Sequence, residues 1–145
     1  MEESKVRPAL QAFVLCERVE TAQDGVHSLI RVFDRSVINV QATGPLPPEG
    51  IAIEQEFSVF ARWGNGVGHF QQYIELENPS EEKFQTPENI FWLVSRSAIQ
   101  NVMTRVRIVV KESGRYLLRL FLDGEKISEI VWTVEFNVRE VRPPA

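Results

Sequence analysis

The chain is short of the residues on which most site chemistry depends. It has one cysteine, Cys16, and two histidines, His27 and His69. A single cysteine excludes an internal disulfide. No His-x-x-x-His or Cys-x-x-Cys spacing occurs, so zinc-type ligands are not clustered, and no metal or cofactor is expected. Basic residues are in deficit, 16 Lys and Arg against 20 Asp and Glu, for a net charge of −4. Phosphate contacts need a positive surface, so this balance argues against nucleic acid as a partner. No apolar run approaches the roughly 18 residues that a membrane span takes. The opening Met-Glu-Glu-Ser-Lys-Val-Arg-Pro has acids where a secretory signal has a basic start and an apolar stretch. The expectation is a soluble protein of a reducing compartment, the cytoplasm.

What is present is ordinary globular material, 43% hydrophobic and 25% charged. The length of 145 residues suits one domain, spanning 1–145, with 1–7 and 142–145 as flexible ends. Period-2 alternation dominates the pattern. From Ile51 to Trp63 the odd positions are nearly all apolar and the even ones mostly polar. Successive strand side chains point to opposite faces, so this segment is a half-buried strand. Phe70, Ile74 and Leu76 share a face of the next strand, and Gly64-Asn65-Gly66-Val67-Gly68 between the two reads as a hairpin turn. Tyr116, Leu118, Leu120 and Leu122 alternate in the same way up to Asp123-Gly124, a strong turn signal. Ile130, Trp132, Val134, Phe136 and Val138 form its second arm.

Ala12–Cys16 is a short continuous apolar run. Val26–Phe33 and Ser36–Gln41 read as one bent strand or two strands around a corner at Asp34-Arg35. The stretch 96–103 fits either helix or strand. The alternation Val102, Thr104, Val106, Ile108, Val110 favours a strand. Loop 42–50 holds three prolines and two glycines, and 78–83 is a polar turn. The expected fold is all-β, an antiparallel β-sandwich of about eight strands with little or no helix.

Two segments carry a family pattern. One is Ser28-Leu29-Ile30-Arg31-Val32-Phe33-Asp34-Arg35, following Cys16-Glu17-Arg18-Val19. The other runs from Glu112-Ser113-Gly114-Arg115-Tyr116 through Leu118-Arg119-Leu120-Phe121-Leu122-Asp123-Gly124-Glu125. They resemble a family of small bacterial all-β proteins classed as a domain of unknown function. That family has a G-x-F-D-R type element followed by a G-x-Y-x-F-x-L-x-x-D-G hairpin. Arg31-Val32-Phe33 stands here where the family more often has a glycine near the phenylalanine. The resemblance implies a small β-sandwich in a bacterium and brings no catalytic residues.

Catalytic signals are weak. Cys16 lies in an apolar run, as a small buried hydrophobe does. No Gly-x-Ser-x-Gly elbow occurs. The 64–68 glycines precede a strand, whereas a phosphate loop precedes a helix. Glu54, Glu56, Glu75 and Glu77 lie on the polar faces of two adjacent strands. With no Asp-x-Asp loop beside them, a charged sheet face that discourages edge pairing outweighs a Ca²⁺ site. The one basic concentration is Arg96, Arg105, Arg107, Lys111, Arg115 and Arg119. It reads as a solvated sheet face or, if Arg105, Arg107, Arg115 and Arg119 form a stripe across neighbouring strands, as a docking patch for an acidic protein surface. Trp63, Trp92 and Trp132 read as core. Phe60, Phe91 and Phe121 lie opposite the better apolar register, and exposed together they would form an interface patch. The sequence therefore points to a non-catalytic interaction or accessory domain that binds a protein partner or itself. The alternative is a small-molecule or glycan-binding sandwich using end loops 42–50 and 78–87.

Overall fold

The computed structural model describes residues 5–46 and 50–141. The described residues form ten strands and no helix. They are β1 (Ala9–Thr21), β2 (His27–Phe33), β3 (Arg35–Thr43), β4 (Ile53–Gly64), β5 (Gly68–Glu77), β6 (Lys83–Gln85), β7 (Asn89–Leu93), β8 (Ile99–Val110), β9 (Gly114–Leu122) and β10 (Glu125–Val141). The fold is the β-sandwich expected, and the short strands β6 and β7 raise the count. The ambiguous 96–103 stretch becomes strand from Ile99. None of the helices needed to cross a membrane is present among the described residues.

One sheet has the order β2-β1-β4-β8. The other has the order β3-β10-β9-β5, with β7 against the first half of β5 and β6 against its last residues. All pairings are antiparallel except β3 with β10, which run parallel from Arg35↔Thr133 to Thr43↔Val141. The corner at Asp34 therefore carries the chain from one sheet to the other, and the Asp34 carbonyl accepts the Thr133 N–H at 2.9 Å.

The glycine-rich segment 64–68 makes the same kind of crossing. It is not a hairpin, because β4 and β5 lie in opposite sheets. The reason lies in what packs on it. Val67 forms an isolated bridge with Val6, and a Cβ on Gly66 would sit 2.6 Å from the Pro8 Cα. Gly66 is thus required by the close approach of the N-terminal segment. That segment is fastened along its length, with Lys5 on Asp123 at 2.8 Å and Arg7 on Glu125 at 3.2 Å. Lys5, Val6 and Arg7, expected to belong to a flexible end, thus make contacts with the body of the fold. The other expected flexible ends, 1–4 and 142–145, lie outside the described residues. The Asp123-Gly124 turn is a true hairpin. Its φ values of 49° and 83° are the paired positive angles of a type I′ turn, whose twist matches the strands it joins.

The inward registers of the two sheets meet in one core. Trp63, Phe57 and Leu15 come from the first sheet, and Phe70, Phe91, Tyr116 and Trp132 from the second. Each such side chain contributes roughly 1.5–3 kcal/mol by leaving water. The Tyr116 hydroxyl donates to the Glu112 carbonyl at 3.0 Å, and burial pushes its pKa up.

Candidate functional site

The four arginines of the expected stripe do not meet. Consecutive strands β8 and β9 belong to opposite sheets, so their outward residues face opposite sides of the molecule. Arg105 and Arg107 lie on the outer face of the four-stranded sheet. Arg107 pairs with Glu54 at 3.0 Å. Arg105 reaches Glu56 at 3.2 Å, Ser58 Oγ at 3.1 Å and the Glu17 carbonyl at 2.7 Å. It thereby ties β8, β4 and β1 together. Arg115 and Arg119 lie on the outer face of the other sheet. Arg119 donates to Glu75 at 3.0 Å, Glu77 at 3.2 Å and Glu129 at 2.9 Å. The hydrogen bond to Glu77, with those to Glu75 and Glu129, holds its guanidinium even more firmly protonated than usual. The four glutamates are likewise split between the faces, two with each arginine group. Arg105, Arg107 and Arg119 are paired in place and the four arginines are divided between opposite sheets, so no continuous positive stripe forms.

The three phenylalanines are separated as well. Phe91 is core, 4% exposed, in contact with the rings of Trp63 and Phe70. β7 pairs Phe91 with Phe70, which turns Phe91 inward. Phe60 does face outward but is only 7% exposed, with the His27 ring edge-on at 6.1 Å and Val14 and Met103 opposite it on the flanking strands. Phe121 lies on the outer face and stacks flat on Tyr73 at 4.8 Å. The apolar patch expected from the three together therefore does not exist.

A different patch does. With Phe91 turned inward, β7 presents its other register to solvent: Ile90 is 70% exposed, Trp92 56% and Val94, just past its end, 56%. Trp92 reads as core from sequence and is not. The stretch Ile90-Phe91-Trp92-Leu93-Val94 is apolar on both faces, so alternation cannot say which side is inward. Only the pairing of β7 with β5 decides it. The patch continues onto β5, where His69 stacks on Trp92 at 5.1 Å and 7°. Gln71 follows, then the Tyr73–Phe121 pair, and beyond these the Glu75–Arg119–Glu77 ion pairs. The surface thus passes from apolar to aromatic to charged across β7, β5 and β9.

One cavity stands out, at the opposite side of the sandwich. β1 pairs with β4 only as far as Cys16↔Ser58, then leaves it and continues with β2 to Thr21↔His27. The gap between β1 and the first residues of β4, bordered by β3, is a half-open cleft of about 460 Å³. Its floor is an edge-to-face cluster of Phe33, Phe57 and Trp132, with ring centroids 5.0–6.3 Å apart. Ser36 and Gln55 face it from otherwise apolar registers, and Arg31 and Arg35 line its mouth. Arg31 holds a φ of 55°. For a bulky residue that conformation costs roughly 1–2 kcal/mol.

Of the expected binding loops, 47–49 lie outside the described residues. The 78–82 turn closes on itself, with the Glu82 N–H donating to Asn78 Oδ1 at 2.9 Å. Cys16 is fully buried, and burial raises its thiol pKa despite the nearby Arg105 charge. Among the described residues no three His, Cys, Asp or Glu side chains are grouped to hold a metal ion. No protein-family model matches the chain, and no curated protein matches it in sequence.

Proposed function

We propose that the chain is a non-catalytic protein-interaction domain of the bacterial cytoplasm, docking through the outer face of its six-stranded sheet around β7. The observation that carries this reading is the exposure of Ile90 and Trp92 on one short edge strand, with Val94 just past its end. Contiguous exposed apolar surface of this kind marks interfaces. Tryptophan in such a patch is a frequent energetic anchor. The ion pairs of Arg119 with Glu75 and Glu77 border it, the usual arrangement of an apolar centre with a polar rim.

The partner is a protein surface with a complementary apolar centre, and a second copy of this chain is the simplest case. The test is tagged co-purification from the native host, with light scattering on the eluate. The double variant Ile90→Asp, Trp92→Asp is expected to lose a stoichiometric partner, or to turn a homodimer into a monomer, while its thermal melt is retained. The variant Arg105→Glu, Arg107→Glu is expected to keep the complex. If the complex survives the first pair and is lost with the second, the interface is the β8 face and the reading is overturned. A wild-type chain that is a monomer without any partner overturns it also.

A further inference from the structure

We infer that the partner of the β7 surface is a second copy of this chain, joined edge to edge by antiparallel pairing of β7 with its own symmetry mate. This rests on the docking reading above and deepens it by naming the partner, the mode of pairing and the register. The two six-stranded sheets run on as one across a twofold axis.

The backbone of β7 is open on one side. In β5 the Gln71 carbonyl accepts the Asp123 N–H at 2.8 Å, toward β9, and the Ile74 carbonyl accepts the Thr86 N–H at 2.9 Å, toward the side of β6 and β7. Alternate residues of an antiparallel strand bond to alternate neighbours. Phe70 and Gln72 therefore direct their backbone groups at β7, where they lie opposite Phe91 and Asn89. By the same alternation Ile90, Trp92 and then Val94 direct theirs away from β5, to an edge that no other described strand covers. Proteins guard such edges with charge, proline or distortion. The other free edges have guards of this kind: Arg105 and Arg107 on β8, Arg31 at a φ of 55° on β2, Arg35 on β3 and Lys83 on β6. β7, Asn-Ile-Phe-Trp-Leu, has none.

Side-chain chemistry then selects the register. A twofold axis at Trp92 sets Trp92 against itself and Ile90 against Val94 of the second copy. Residues directly opposite share a face, so all of these side chains lie together on the outer side of the joined sheet. The match is self-complementary, as a twofold interface requires. One step further along, the same register brings Glu88 to the place of Arg96 of the second copy. Both are exposed, and neither has an ion pair among the described residues. Arg96 lies in the turn after β7, so it meets Glu88 through its long side chain and not as a rung of the ladder. The neighbouring registers set an apolar residue against a charge. An axis at Phe91 puts Glu88 opposite Val94, and one at Leu93 puts Ile90 opposite Arg96. The axis at Trp92 alone among these joins the apolar residues to one another and closes both ends on opposite charges.

The test is analytical ultracentrifugation of the purified full chain and of its variants. The wild type is expected to sediment as a dimer. Glu88→Arg and Arg96→Glu each turn both symmetric contacts into like-charge pairs, and each is expected to raise the dimer Kd by about tenfold. Mixed together, the two variants are expected to form a heterodimer with an affinity near that of the wild type, which also shows that each is folded. Val94→Pro removes an N–H that points away from β5, a position where an edge tolerates proline. It is expected to lose the dimer while Ile90 and Trp92 keep their side chains. The edge pairing is overturned if the mixed variants fail to pair, or if Ile90→Asp, Trp92→Asp dissolves the dimer while the charge variants and Val94→Pro leave it intact. In that second case the docking reading stands. It stands also, with the edge pairing overturned, if the wild type is a monomer alone but holds a different protein stoichiometrically through Ile90 and Trp92. A dimer indifferent to all these variants, or a monomer without any partner, overturns both.

Discussion

Gln72 shows how much one side chain can decide. It is fully buried, and its Oε1 accepts the Trp63 Nε1–H at 2.7 Å. Because β4 and β5 lie in different sheets, this hydrogen bond crosses the core. Gln72→Ala strands a buried indole N–H, which costs about 1–3 kcal/mol, and leaves a cavity as well. We expect a loss of about 2–4 kcal/mol, visible in urea denaturation as a lower midpoint with an unchanged slope. In the sequence Gln72 appears only as a polar break among Phe70, Ile74 and Leu76. Its partner comes from another sheet, which no local pattern contains. Arg31 is a second residue whose role is hidden in this way. Its φ of 55° lies where glycine is at ease. Arg31→Ala and Arg31→Gly both remove the ion pair to Glu17, but only alanine keeps the strain. The glycine variant is expected to be more stable than the alanine variant by about 1 kcal/mol, by the same denaturation measurement.

At the scale of the element, β7 is the sharpest test. Phe91 and Trp92 are neighbours of similar chemistry with opposite fates. Phe91→Ala empties a core site and is expected to cost about 3–5 kcal/mol. Trp92→Ala, on the outer face, is expected to cost less than about 1 kcal/mol. Thermal melts of the two variants read the difference directly, and equal losses would mean the strand faces the other way. Strands with one apolar face, such as β4, β8 and β9, were legible because burial on one side writes a period of two into the sequence. β7 was not, because both its faces are apolar. Turns divide in the same manner. Asp123-Gly124 specifies its own backbone angles and so its hairpin. The 64–68 glycines announce only that the chain changes direction, and the N-terminal segment packed on Gly66 determines where it goes.

At the scale of the whole molecule, the sequence carries composition and strand content but not the partition of strands between sheets. That partition put Arg105 and Arg107 on one face and Arg115 and Arg119 on the other, and it left the cavity beside β1 without any sequence signature. Charge gives one global expectation. Burial pushes the Asp123 carboxyl up, but Lys5 and the Gln71 N–H outweigh it and hold the group below its ordinary pKa. Glu129 is lowered likewise, since Arg119 and Lys126 outweigh its burial. A carboxyl with a lower pKa in the folded chain binds fewer protons there than in the unfolded chain. Its contribution is present above the ordinary carboxylate range and is lost as pH falls through the folded value. Stability is therefore expected to decline on acidification. Asp123→Asn keeps the type I′ turn and the Gln71 contact but removes the charge. Its melting temperature is expected to fall less steeply between neutral and acid pH than that of the wild type.

The parallel pairing of β3 with β10 bears on how the chain is made. Arg35 finds its partner in Thr133, so the third of the ten described strands waits for the tenth. Until β10 leaves the ribosome, the backbone of β3 has no ladder and Ile38 and Val40 have no sheet to pack in. An unpaired strand of this kind is a template for other chains. Long-range parallel pairing is also among the slower steps of folding. Translation that stalls before residue 133 would leave a nascent chain carrying an open, apolar strand, a natural substrate for chaperones and a seed for aggregation.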